Sequence, residues 1–126
     1  MDDEELVRNV AREMIAALGH EVVSAEDGAM AVELFRQARE AGTPFDLVIL
    51  DLTVKGGMGG EEAIRRIRDI TPAVKSVVSS GYSDSPVIAD YRAYGFSAVL
   101  NKPYRVGALQ NCIQVLVPQS IVPEVP

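Results

Sequence analysis

Two rhythms alternate along this chain. Short, nearly continuous apolar runs are separated by longer stretches in which apolar residues recur every three or four positions. The run Leu47-Val48-Ile49-Leu50 is too short for a helix core and is bounded by turn-forming residues, so it reads as a strand buried on both faces. Val74 to Ser79 and Ser97-Ala98-Val99-Leu100 read the same way, and Val22-Val23 as a shorter strand. Helical repeats fill the intervals. Leu6, Val10, Met14, Ala17 and Leu18 share a stripe that Gly19 ends as a C-terminal cap. After the Asp27-Gly28 turn, a second helix carries Ala31, Leu34, Phe35 and Ala38 inward until Gly42-Thr43-Pro44. A third runs from Glu61 to Ile70 with Ala63, Ile64 and Ile67 facing in, and Thr71-Pro72 breaks it. A weaker helix, Ser83 to Tyr94, has Pro86 in its first turn, and a last one spans Val106 to Val117.

Strands alternating with helices predict an α/β domain, a mostly parallel sheet with helices on both faces. Right-handed crossovers bring the C-terminal end of every strand to one edge, where open sheets of this kind hold their ligands. Three strand ends carry polar residues there: Asp51 directly after Leu50, Ser80 before Gly81, and Lys102 in Asn101-Lys102-Pro103. Asp2 and Asp3 join them if a strand precedes them. With 126 residues the chain is one domain, expected over residues 1–117, and the proline-bearing tail 118–126 is expected to be loose.

Composition narrows the function. The net charge of −6 disfavours nucleic acid, whose binding rests on basic patches. No apolar run approaches the roughly 20 residues of a membrane span. The acidic start Met1-Asp2-Asp3-Glu4-Glu5 is unlike the basic start of a secretory signal. The single Cys112 permits no intramolecular disulfide, which suits the cytoplasm.

Carboxylates gathered at one edge repel and raise one another's pKa, a conflict that a hard divalent cation removes. Such a site favours phosphoryl transfer to a carboxylate, with an ammonium and a hydroxyl holding the phosphoryl oxygens. Each residue also has a plain reading. Asp2-Asp3 suits a helix start, Ser80-Gly81 a turn, and a lone lysine such as Lys102 usually sits at the surface. Gly56–Gly60 lacks the Gly-Lys-Ser/Thr ending of a phosphate loop. Arg65, Arg66 and Arg68, alternating with Glu61, Glu62 and Asp69, read as a solvated face. His20 has no second histidine to act with, and Cys112 suits packing.

The ordered set of Asp2-Asp3, Asp51, Ser80-Gly81 and Lys102-Pro103 resembles the receiver domain of two-component response regulators, almost throughout, up to about Val117. The resemblance implies a flavodoxin-like, doubly wound parallel sheet of strand order 2-1-3-4-5. It implies that Asp51 accepts a phosphoryl group from the phosphohistidine of a histidine kinase or histidine phosphotransfer domain. Asp3, Asp51 and the Thr53 backbone carbonyl would hold Mg²⁺ or Mn²⁺, with Asp2 acting through water. Ser80 would be the switch hydroxyl and Lys102 the phosphoryl-binding ammonium. Ser79-Ser80-Gly81-Tyr82 and Asn101-Lys102-Pro103-Tyr104 are similar to receivers of hybrid sensor kinases.

The chain departs from that pattern at three places. Val99 stands where the family often has an aromatic switch residue, and Lys55 lies near a usual proline, in a glycine-rich loop expected to be flexible. Before the acidic pair there is only Met1, so the first strand is largely missing from this sequence, and the expectation is that about five apolar residues precede Met1, a common strand length. Two other functions fit some of these features. Asp51-Leu52-Thr53 after a buried strand is similar to a haloacid-dehalogenase nucleophile motif, although that family has a second acid where Thr53 stands. The Val99 departure suits a pseudo-receiver, a binding module without phosphorylation.

Overall fold

The computed structural model describes residues 1–81 and 85–118. Helices α1 (Glu5–Ala17), α2 (Gly28–Glu40), α3 (Gly60–Ile70), α4 (Pro86–Ala89) and α5 (Val106–Leu116) alternate with strands β1 (Val48–Asp51), β2 (Ser76–Ser80) and β3 (Ala98–Asn101). The strands form a parallel sheet in the order β1-β2-β3, with Asp51 in register with Ser79 and Ser80 with Asn101. All residues of β2 are buried, as its small and β-branched residues require of a central strand covered on both faces. Successive side chains of β2 go to opposite faces. Val78 packs with Phe35, Leu50, Ile64, Ile67 and Phe96 beneath α2 and α3. Val77 packs with Leu100, Leu109 and Ile113 beneath α5 and α1. None of the described helices is long and apolar enough to cross a membrane.

Four expectations need correction. Residues 21–25 form no strand, and Val23 is exposed. The order 2-1-3-4-5 is therefore represented by its last three strands. A strand exists only by pairing, and the one backbone link found here is the Asp2 N–H donating to the Ala25 carbonyl at 3.1 Å. Met1 continues that link on its other side: its nitrogen donates to the Ile49 carbonyl at 2.7 Å, and its carbonyl accepts from the Asp51 N–H at 3.0 Å. Met1 thus occupies one position of a strand between residue 25 and β1. Beyond it lies a cleft of about 570 Å³, lined by Val22, Val23, Phe35, Leu47, Ile49 and Ile113 among others.

On α1, Leu6 and Val10 point outward, 78% and 42% exposed, while Met14, Ile15 and Leu18 pack inward. The helix has no fully buried residue, because the cleft lies under part of its inner side. The weak helix expected over 83–94 is a single turn, Pro86–Ala89, capped by Ser85 and followed by turns. Ser83 and Tyr82 lie outside the described residues, as do positions 119–126 of the tail. The glycine loop is also not simply flexible. A Cβ on Gly59 would stand 2.5 Å from the Leu52 carbonyl oxygen, and one on Gly60 would stand 2.7 Å from that of Asp51. These glycines let the start of α3 press against the end of β1.

Candidate functional site

The C-terminal edge of the sheet collects the acids. Asp51 is the last residue of β1, and pairing with β2 continues one residue beyond it, through the Leu52 N–H to the Ser79 carbonyl at 2.9 Å. Asp2 is buried beside it, positioned by the backbone bonds of Met1 and Asp2. Asp3, partly exposed, accepts from the Lys55 N–H at 3.2 Å, which ties the loop after β1 to the acidic pair. Carboxylate oxygens of Asp2, Asp3 and Asp51 lie within 4.8 Å of one another.

Lys102 enters from the end of β3, where its N–H donates to the Ser80 carbonyl at 3.0 Å. Its Nζ lies 2.7 Å from Asp2 Oδ2 and 3.1 Å from Asp51 Oδ1. Asp2 also serves the helix start: its Oδ1 accepts from the Glu4 N–H at 3.0 Å. The plain reading of that residue and the functional one therefore share a single side chain. Asp2 Oδ2 makes no aligned hydrogen bond among the described residues, and the Lys102 ammonium lies beside it at 2.7 Å.

Burial pushes the Asp51 carboxyl up to about 6, and the neighbouring Asp2 charge adds to the rise, against the pull of Lys102. Desolvation works against the Lys102 ammonium, but its contacts with Asp2 and Asp51 win and hold its pKa above the ordinary value. Desolvation also opposes the Asp3 carboxylate, yet the Lys55 N–H and nearby hydrogen bonds hold its pKa below the ordinary value. The donor set fits a hard cation: three oxygen ligands in reach, one of them a buried oxygen without an aligned bond, and the Lys102 ammonium offsetting part of their charge.

Ser80 is buried at the end of β2, next to this cluster. Val99 is half-buried and packs against the Phe35–Phe96 core. Sequence reasoning passed over one polar pair. The Tyr104 hydroxyl lies 2.6 Å from Ser79 Oγ, linking the turn after Lys102 to the strand beside Asp51. Its signal was present in the adjacency of Tyr104 to Lys102-Pro103 and of Ser79 to Ser80, but nothing local marks two hydroxyls as partners across the sheet.

Known proteins share this fold. Residues 1–114 match the response regulator receiver domain family. The chain is 34% identical over 116 residues to the sensor histidine kinase AruS of Pseudomonas aeruginosa, covering 90% of this chain and 11% of that protein. It is 22% identical over 118 residues to sporulation initiation phosphotransferase F of Bacillus subtilis, covering 94% of this chain and 90% of that one. Among solved structures, the receiver domain of NtrX from Brucella abortus superposes with a TM-score of 0.82 at 22% identity, over 94% of this chain and 96% of that one. The parallel sheet, the acids and lysine at its C-terminal edge, and the family match over nearly the whole described chain lead to one conclusion: this chain belongs to the response regulator receiver domains, the phosphoacceptor modules of two-component signalling.

Proposed function

We propose that Asp51 is the acceptor and that the residues around it divide the work of phosphoryl transfer. The observation that carries this reading is the Lys102 ammonium lying between Asp2 and Asp51, at 2.7 and 3.1 Å, in the acidic cluster at the sheet's C-terminal edge. Above a pH of about 6 the Asp51 carboxyl is ionised and is a nucleophile. One of its oxygens attacks the phosphorus of a phosphohistidine. A P–O bond forms, the P–N bond breaks, and the imidazole leaves with the electron pair.

The protein's task in such a transfer is to position the groups and balance charge. Lys102 pairs with the phosphoryl oxygens as they arrive, and the Ser80 hydroxyl at the end of β2 holds another. Asp3, Asp51 and the Thr53 carbonyl, with Asp2 through water, would hold Mg²⁺ or Mn²⁺, which supplies positive charge to the transferring group when bound. The partner is the phosphohistidine of a histidine kinase or of a histidine phosphotransfer domain, and the setting is the cytoplasm. The likeness to AruS supports a place among receivers of hybrid kinases.

Treatment with phosphoramidate and Mg²⁺ tests the reading. Accumulation of one phosphoryl group per chain is expected. Continuous phosphate release without accumulation would indicate a phosphatase, and no reaction a pseudo-receiver.

A further inference from the structure

A Tyr104–Ser79 bond joins the two reacting sides of the site, at the strand position in register with Asp51. Ser79 is fully buried in the middle layer. Its carbonyl accepts from the Leu52 N–H at 2.9 Å, fixing the residue that follows Asp51. Its hydroxyl meets the Tyr104 hydroxyl at 2.6 Å, fixing the residue two positions beyond Lys102. The neighbouring Ser80 carbonyl holds the Lys102 N–H at 3.0 Å. The segment 102–104 is thus fastened to the end of β2 at both of its ends. The Tyr104 ring packs with the core of Val77, Leu100, Leu109 and Ile113, which leaves its hydroxyl little freedom to choose another partner.

From this geometry we propose that Tyr104 is a positioning residue: through the Ser79 hydroxyl it holds the Lys102 ammonium at its distance from the Asp51 carboxylate. A lysine side chain has four rotatable bonds and on a free turn would spread over many positions. Its reach to both Asp2 and Asp51 requires the backbone at 102 to be held still. With the bond in place, Asp51 and Lys102 are both referenced to one immobile residue of the central strand. An apolar pair at 79 and 104 would pack the core equally well, but it would not fix the direction of the turn. The inference rests on the role given to Lys102 above.

Tyr104→Phe removes only the hydroxyl, and Ser79→Ala removes the same bond from the other side. The rate of phosphorylation by phosphoramidate with Mg²⁺ is measured for each, alone and combined with Lys102→Ala. Since misplacing a catalytic group by 1 Å can cost about 10²-fold, each single variant is expected to be slower by about tenfold. In the Lys102→Ala background neither is expected to slow the reaction further, because the group being positioned is gone. Ser79→Thr, which keeps the hydroxyl, should restore most of the rate. Equal losses in both backgrounds would show a general structural role and overturn the proposal. A normal rate in Tyr104→Phe, with a slow Lys102→Ala protein, would overturn this inference alone. A normal rate in Lys102→Ala itself would overturn the role of the lysine and this inference with it.

Discussion

Replacing Asp51 by asparagine should stabilise the protein in the absence of metal, and the gain should depend on pH. Asp51 is 4% exposed, and its pKa is raised from an ordinary 3.8 to about 6, first by burial and then by the Asp2 charge. The folded state therefore binds the Asp51 proton more tightly than the unfolded chain does. Stability from this group is complete below pH 3.8 and is lost as pH rises through about 6. The difference between 3.8 and about 6 corresponds to about 3 kcal/mol, at about 1.4 kcal/mol per tenfold change in proton affinity. Asparagine keeps the shape and discards the charge, but it also weakens the hold on Lys102, which then has Asp2 alone. A net gain of about 1–3 kcal/mol at pH 8 is expected, less than the full linkage term because breaking a paired charge has its own cost. At about 4 °C per kcal/mol for a domain of this size, the melting temperature should rise by roughly 4–12 °C. Thermal and urea unfolding of both proteins, in a chelator at pH 8 and at pH 4, measures this. The gap should close at pH 4, and saturating Mg²⁺ should shrink it at pH 8 by favouring the charged aspartate. An Asp51→Asn protein less stable than its parent at pH 8, or a gap indifferent to pH, would refute the argument.

Other perturbations probe the remaining parts. Titration with Mg²⁺ should shift amides around Asp3, Asp51 and Thr53, and Asp3→Ala should weaken the affinity; an unchanged affinity would remove Asp3 from the ligand set. Gly60→Ala places a methyl 2.7 Å from the Asp51 carbonyl and should destabilise by about 1–3 kcal/mol in chemical denaturation, whereas Gly107→Ala, which meets nothing within 4 Å, should not. A variant with about five apolar residues joined ahead of Met1 should fill the cleft between residue 25 and β1, protect the Ile49 amide from exchange and raise the melting temperature. Unchanged stability and exchange would show that the cleft is not a strand position.

What could be read in the sequence was local and repeated. The apolar run Val48-Ile49-Leu50 reads as a strand, and Asp51 directly after it falls at that strand's C-terminal end. The alternation with helices placed Ser80 and Lys102 at the same edge by topology alone. Pairing was less legible. Val22-Val23 has strand composition, but strand formation depends on a neighbour, and here only Met1 and Asp2 reach that position. The inward stripe of α1 is legible only in part: Met14 and Leu18 pack inward with Ile15, whereas Leu6 and Val10 are exposed, because composition alone does not choose between neighbouring rows of a helix and packing does. The glycines at 59 and 60 read as flexibility, yet their function is close approach, which depends on the carbonyls of Leu52 and Asp51. The Ser79–Tyr104 bond spans 25 positions and leaves no periodic trace.

The central claim is that Asp51 receives the phosphoryl group. Intact-mass measurement after phosphoramidate and Mg²⁺ treatment, followed by peptide mapping of the modified chain, tests it most directly. One phosphoryl group on the peptide containing Asp51, and none on the Asp51→Asn protein, is the predicted result. Labelling of the Asp51→Asn protein to the same extent as its parent would contradict it.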